Sequence, residues 1–302
     1  LRLFLTTTVC VLLLTSIAVA DDSSEIVLWP DGVPEPVVRI EPAETLVKGD
    51  DGLTRRFNVS KPRLFVYPPD ATASATGAAI IVVPGGGFGR LADEHEGSSV
   101  CRWLASHGIV GIELAYRTPA NKQPNPVQGP AQDLQKGILE VRIRSTELKI
   151  DPERIGVLGF SAGGQTALVA AASEPSFPTS SDPALLKPNA LLLIYPHRIM
   201  DPETRKIRAD VNLNSSLPPT FILQAVDDTA SDPNGSTLLF SELLRRKIPA
   251  ELHIYELGGH GFGMKPNPAT PAARDWSHRV LDWLRLRKFA LGNVPLDSGA
   301  AH

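Results

Sequence analysis

The chain has 302 residues, of which 42% are hydrophobic, 21% charged and 6% aromatic, enough apolar side chain to bury a sizeable core. Its formal net charge of -3 leaves no basic excess for nucleic acid or an anionic membrane surface, and points to a neutral or small substrate.

The first twenty residues, "LRLFLTTTVCVLLLTSIAVA", carry one basic residue, a short apolar centre and a small-x-small ending at Ala18, Val19 and Ala20. They read as an export signal cleaved near Ala20, leaving 21–302 as a single catalytic domain in a periplasmic or secreted protein. The apolar run is threonine-broken and well short of the roughly 20 residues of a spanning helix, so the mature form is expected off the membrane. Cys10 would leave with the signal. Cys101, on an amphipathic helical pattern with Val100 and Leu104, reads as a buried thiol, so an exported protein would have no internal disulfide.

Next, "EIVLWPDGVPEPVVRIEP" is rich in proline and reads as an extended arm lying on the domain. The expected strands are "RLFVYPP", "AAIIVVPGG", "IVGIELAYR", "RIGVLGF", "ALLLIYP", "TFILQAV" and "AELHIYE". Helical patterns near 95–107, near 130–149, directly after Ser161, near 234–247 and near 271–289 separate the later ones. Strands that are apolar throughout and alternate with helices indicate an α/β fold, a mostly parallel central sheet with helices on both faces. The one irregular insertion, residues 196–219, is polar, so no large cap domain or bulky apolar lid is expected, and the tail from Gly292 reads as frayed.

One motif carries chemistry. Gly159, Phe160, Ser161, Ala162 and Gly163 form G-x-S-x-G between a strand and a helix, where small neighbours let a sharp turn project the serine hydroxyl above the sheet edge. A phosphate-binding loop would instead want the Walker lysine or a G-x-G-x-x-G spacing, and neither is present. A serine hydroxyl is a weak nucleophile at neutral pH, so it needs a histidine to take its proton and an acid to orient that histidine, in the chain order serine, acid, histidine. "TFILQAVDDTASDP" offers Asp227 and Asp228 just past a strand, and "LHIYELGGHGFG" offers His260 in a glycine-rich loop about thirty residues later. His107, His253 and His278 lie on regular elements or near a helix end and lack that setting. The oxyanion formed on serine attack needs fixed amide donors; "PGGGFGRL" supplies Gly86 and Gly87, with Ala162 behind the serine as the other. No metal and no cofactor are called for.

With these residues the chain resembles the α/β-hydrolase superfamily, from about Leu28 to Phe289. More narrowly it resembles exported bacterial acetyl-ester hydrolases related to acetylxylan esterases and to the bifunctional feruloyl and acetyl-xylan esterase domain. The stretches that carry this are "LWPDGVPEP", "VVPGGGFGRLADEHEG", "LAYRTP", "DPERIGVLGFSAGG", "QAVDDTASDPNGS" and "PAELHIYELGGHGFG". The resemblance implies that the second aspartate of the pair, Asp228, is the acid, and that the GGGFGRLADEHEG loop walls the acyl side, with Phe88, Glu94 and His95 near substrate. It also implies a short-chain serine esterase acting on small-molecule or polysaccharide esters such as acetylated xylan, with feruloyl or general carboxylesterase activity as the alternative. Gln165 departs from the histidine that such relatives often carry after GFSAGG, and altered packing is expected there. Relatives called xylanases raise glycoside cleavage, which needs two carboxylates facing one bond; no pair competes with the serine constellation. The oligomeric state is left open by the sequence.

Overall fold

The computed structural model describes residues 24–37, 43–213 and 217–292. The expected export signal and the tail beyond Gly292 lie outside them. Ten strands and five α-helices are described: β1 (Ser24–Val27), β2 (Thr45–Lys48), β3 (Thr54–Phe57), β4 (Arg63–Tyr67), β5 (Ala79–Val83), α1 (Ser99–Ser106), β6 (Val110–Ala115), α2 (Gln128–Ile143), β7 (Ile155–Phe160), α3 (Ala162–Ala172), β8 (Ala190–Ile194), β9 (Thr220–Ala225), α4 (Pro233–Arg245), β10 (Ala250–Tyr255) and α5 (Pro271–Leu286). Eight strands form one sheet in the order β1-β4-β6-β5-β7-β8-β9-β10, and β2 pairs with β3 in a separate hairpin. β6 through β10 run parallel across that order; β4 is antiparallel to both β1 and β6.

Alternation along each strand sends neighbouring side chains to opposite faces. Ile81, Val83, Val157, Leu191, Leu193 and Ile222 meet Leu134 and Ile138 of α2, Leu168 of α3, and Leu239 and Leu243 of α4. Ile80, Val82, Leu158, Phe160, Leu192 and Ile194 meet Cys101 and Leu104 of α1 and Trp276, Val280 and Leu284 of α5. The central strands are therefore buried on both faces, the reason they read as unbroken apolar runs. Cys101 is a buried free thiol.

The expected arm is partly a strand. Its start, β1, pairs along β4, and beyond it Trp29 and Pro34–Pro36 are pinned to the body by one buried ion pair. Arg117, after β6, and Asp133, on α2, bond through Nη2 to Oδ1 at 2.5 Å and Nε to Oδ2 at 3.0 Å, with side chains 2% and 0% exposed. Asp133 also accepts the Trp29 indole N–H and the Arg117 amide, while Arg117 Nη1 donates to the carbonyls of Pro34 and Pro36. Each donor in this cluster ends on a protein acceptor, as a buried charge requires.

Strand order reverses at β5: the chain moves from β5 to β6 on one side, then returns by α2 to β7 on the other. That switch opens a crevice at the carboxyl ends of the strands, where ligands bind in open α/β sheets. The loop after β5 and the turn after β7 meet there.

Candidate active site

Ser161 alone makes the turn between β7 and α3, at φ 51° and ψ -118°. This left-handed backbone costs a non-glycine residue about 1–3 kcal/mol. It is tolerated because the flanking glycines allow close approach: a Cβ on Gly159 would collide with the carbonyl of Gly163, and one on Gly163 with the carbonyl of Val83. The Ser161 amide donates to the Ile194 carbonyl and its own carbonyl accepts from His197, so neighbouring β8 braces the turn.

The Ser161 hydroxyl lies 2.8 Å from His260 Nε2, and His260 Nδ1 lies 2.8 Å from Asp228 Oδ2. Asp228 also accepts the amides of Ala230 and Ser231 at 2.8 and 2.9 Å and the Gln224 side-chain amide at 2.9 Å. Burial pushes the Asp228 carboxyl up. The hydrogen bond and charge of His260, with the two amides, outweigh it and hold the group below the ordinary carboxylate range. The adjacent Asp227 points elsewhere: its Oδ1 accepts the amides of Gly258 and Gly259 at 2.8 and 2.7 Å, fastening the loop that delivers His260.

Opposite, Gly86 and Gly87 line the cleft at φ 128° and 62°. Among the described residues, the amides of Gly86, Gly87 and Ala162 donate to no protein group. The cleft, about 400 Å³, is also lined by Arg55, Arg90, His95, Glu96, His197, His260, Lys265 and Ser161. It continues past His197 and Ala230 into a second cavity, about 670 Å³, bordered by Arg198, Met200, Pro202 and Arg208 of the 196–219 insertion.

Of the three residues expected near substrate, the structure places His95 in the lining of the cleft and the other two outside it. Phe88 takes a left-handed backbone that turns its ring into the core, 5% exposed, while its carbonyl accepts the amides of Ala120 and Asn121. Glu94 accepts the Thr54 amide of β3 at 2.8 Å and so faces the hairpin rather than the cleft. Glu94, His95 and Glu96 sit on a single π-helical turn, Glu94–Ser98, and residues two apart on such a turn point away from each other.

Sequence reasoning missed Glu96 and Tyr195. Glu96 is 3% exposed; its Oε2 accepts the Gly85 amide at 2.8 Å and its Oε1 the Tyr195 hydroxyl at 2.8 Å. Tyr195 in turn accepts the Gly263 amide at 3.0 Å, and its ring centre is 4.9 Å from that of His260. One buried carboxyl thus ties the glycine loop after β5 to the loop that carries His260. Burial raises the Glu96 carboxyl and burial likewise raises the Tyr195 phenol. Nothing in "ADEHEG" separates the inward glutamate from the outward one; Tyr195 had a signal, its place directly after a strand at the ligand-binding edge.

Residues 64–184 match the BD-FAE family, and residues 126–287, more than half of the chain, match the dienelactone hydrolase family. The chain belongs to the dienelactone hydrolase family. This family member is also similar to an acetyl ester-xyloside bifunctional hydrolase from Caldicellulosiruptor lactoaceticus, whose crystal structure superposes with a TM-score of 0.68 at 30% identity, covering 89% of this chain and 97% of that one. It is 28% identical over 242 residues to an acetylxylan esterase of Xylanibacter ruminicola and 23% identical over 223 residues to endo-1,4-beta-xylanase B of Butyrivibrio fibrisolvens, covering 72% and 67% of this chain. It spans 46% and 34% of those two proteins, about half or less of the length of the curated relatives it matches. The fold is that of an α/β-hydrolase. In this dienelactone hydrolase family member Gln165 is buried in α3, donating its backbone N–H to the Ser161 carbonyl, one turn behind the serine.

Proposed function

We propose that the protein is a serine esterase that removes short acyl groups, acetyl above all, from xylan or related plant polysaccharides and oligosaccharides. The observation that carries this reading is the unbroken hydrogen-bonded line from Asp228 through His260 to the Ser161 hydroxyl, ending in an open cleft beside amides that have no protein acceptor.

In this mechanism Ser161 Oγ attacks the ester carbonyl carbon while His260 Nε2 takes its proton. Asp228 holds the His260 ring by Nδ1 and stabilises the imidazolium, and the amides of Gly86, Gly87 and Ala162 hold the oxyanion. His260 then passes the proton to the departing sugar oxygen, leaving an acyl-serine and a free hydroxyl. Water attacks the acyl-serine with His260 as base, releasing the carboxylic acid and restoring Ser161. Nothing in the described part of the 196–219 insertion forms a helix or cap over the cleft, which suits a short acyl group. The acetyl-ester activities named for two of the relatives support the same substrate class.

Glycoside cleavage fits less well. It needs two carboxylates flanking the bond, whereas the cleft is lined by one, Glu96, with both oxygens already bonded. Action outside the cytoplasm is part of the proposal and rests on the export signal read in the first twenty residues. No helix among the described residues is long and apolar enough to cross a membrane.

The test is acetate release from acetylated xylan, beside nitrophenyl esters of increasing acyl length. We expect rates that fall steeply beyond short chains and a loss of roughly 10⁵-fold or more in Ser161→Ala. Turnover that survives Ser161→Ala would overturn the reading.

A further inference from the structure

The cleft beside Ser161 is cationic although the chain as a whole carries a formal charge of -3. Arg55 reaches it from β3, Arg90 from the loop after β5, and Lys265 from the segment after His260. Asp51 binds both terminal nitrogens of Arg55, at 2.8 and 2.5 Å. Arg90 and Lys265 form no ion pair among the described residues. Among the described residues the one carboxyl lining the cleft is Glu96, whose two oxygens are engaged by the Gly85 amide and the Tyr195 hydroxyl rather than by Arg90 or Lys265, and whose pKa burial raises. The neighbouring His95 feels the same field: burial first, then Lys265 and Arg55, push it down to about 4, so it is neutral at ordinary pH. A concave, partly dry surface concentrates such a field on whatever enters it.

We infer that this cleft selects esters whose alcohol part bears a carboxylate, an acylated uronic acid, with Arg90 and Lys265 as the groups that recognise it. An acetyl group carries no charge, so the charge the cations match must belong to the sugar. Arg90 offers a planar fork suited to a carboxylate, and Lys265 a mobile point charge on the other rim. The inference rests on the serine-esterase reading of the same cleft.

The experiment compares acetate release from monoacetylated methyl glucuronide and monoacetylated methyl glucoside, which share the acyl group and differ in charge. The wild type should favour the glucuronide by about tenfold in kcat/KM at low salt, and raising ionic strength should shrink the ratio. Arg90→Gln and Lys265→Gln should each lower the ratio by roughly threefold, within the range of an exposed charge pair, and together bring it near one. Lys288→Gln, an exposed lysine bonded near the opposite end of β7, should leave the ratio unchanged. A ratio near one in the wild type, or one that survives the double substitution, would overturn the inference while Ser161-dependent turnover kept the esterase reading intact. If neither sugar ester nor nitrophenyl acetate is turned over, the esterase reading falls. Saturation-transfer NMR of unesterified methyl glucuronide and methyl glucoside then decides the subsite alone: stronger glucuronide binding, lost in the double variant, sustains it, and equal binding sinks it.

Discussion

Asp133 and Asp228 are both buried carboxylates that hold a cationic or proton-accepting partner, yet their surroundings differ in one respect. Around Asp133 the bonds turn back into the fold: Arg117 and Trp29 bond to it, Arg117 Nη1 donates to the carbonyls of Pro34 and Pro36, and the cluster closes on itself. Around Asp228 the bonds run outward, through His260 to a hydroxyl on the floor of a cleft. A closed network fixes an arm to a fold. An open-ended one leaves its last member free to react.

That contrast can be broken experimentally. Asp228→Asn should leave the fold intact while lowering kcat by about 10⁴-fold, because the amide favours the wrong ring tautomer of His260. Steady-state kinetics with circular dichroism check this; a loss of less than tenfold would remove Asp228 from the mechanism. Arg117→Ala should do the reverse. It strands a buried carboxylate and should cost about 3–5 kcal/mol of stability by denaturant unfolding, with kcat/KM of the folded fraction retained. Asp227→Asn sharpens the comparison within the site itself, since Asp227 touches only the amides of the His260 loop. A misplacement of the ring predicts a loss of up to about 10²-fold, mostly in kcat.

The smallest expected effect is pH-dependent. His95 and His197 line the cleft, and burial, reinforced by nearby cations, brings each to about 4, below the ordinary histidine value. Between roughly pH 6.5 and pH 4 the unfolded chain therefore binds more protons than the folded one. The stability these neutral rings contribute is complete above about 6.5 and is lost as pH falls through about 4. Thermal unfolding should show Tm falling by roughly 5 °C across that window, and by less in His95→Gln.

Much of this was legible in the residues, for reasons that differ by region. Strands buried on both faces spell mostly apolar runs, so β5 through β9 and their order with the helices could be read directly, while β10, half-buried at the sheet edge, alternates apolar and polar residues. β1, β2 and β3 could not: they are short, mostly exposed or half-exposed, and mix charges with apolar residues, as edge strands do. The long helix expected near 130–149 ends at Ile143, because the polar run after it folds into turns closed by Ile150 bonding to Ser145 and by the left-handed Lys149. At the site, chain order and glycine context pointed to Ser161, to the pair Asp227 and Asp228, and to His260; the family resemblance chose Asp228 from the pair, and the fold brings Ser161, Asp228 and His260 together. Residue type and spacing do not encode which way a side chain points out of a loop, and so Phe88, Glu94 and Glu96 could not be sorted. The two stretches "LWPDGVPEP" and "LAYRTP", which carried part of the family resemblance, meet at the Arg117 pin. Their share in the resemblance reflects architecture rather than chemistry.

The central claim is that Ser161 is a hydroxyl made nucleophilic by its two partners. Intact-protein mass spectrometry after exposure to a fluorophosphonate, with peptide mapping of the adduct, tests it most directly. The account predicts one adduct per chain, on Ser161, forming far more slowly in Asp228→Asn. A protein that stays unlabelled, or one labelled at another serine, would contradict it.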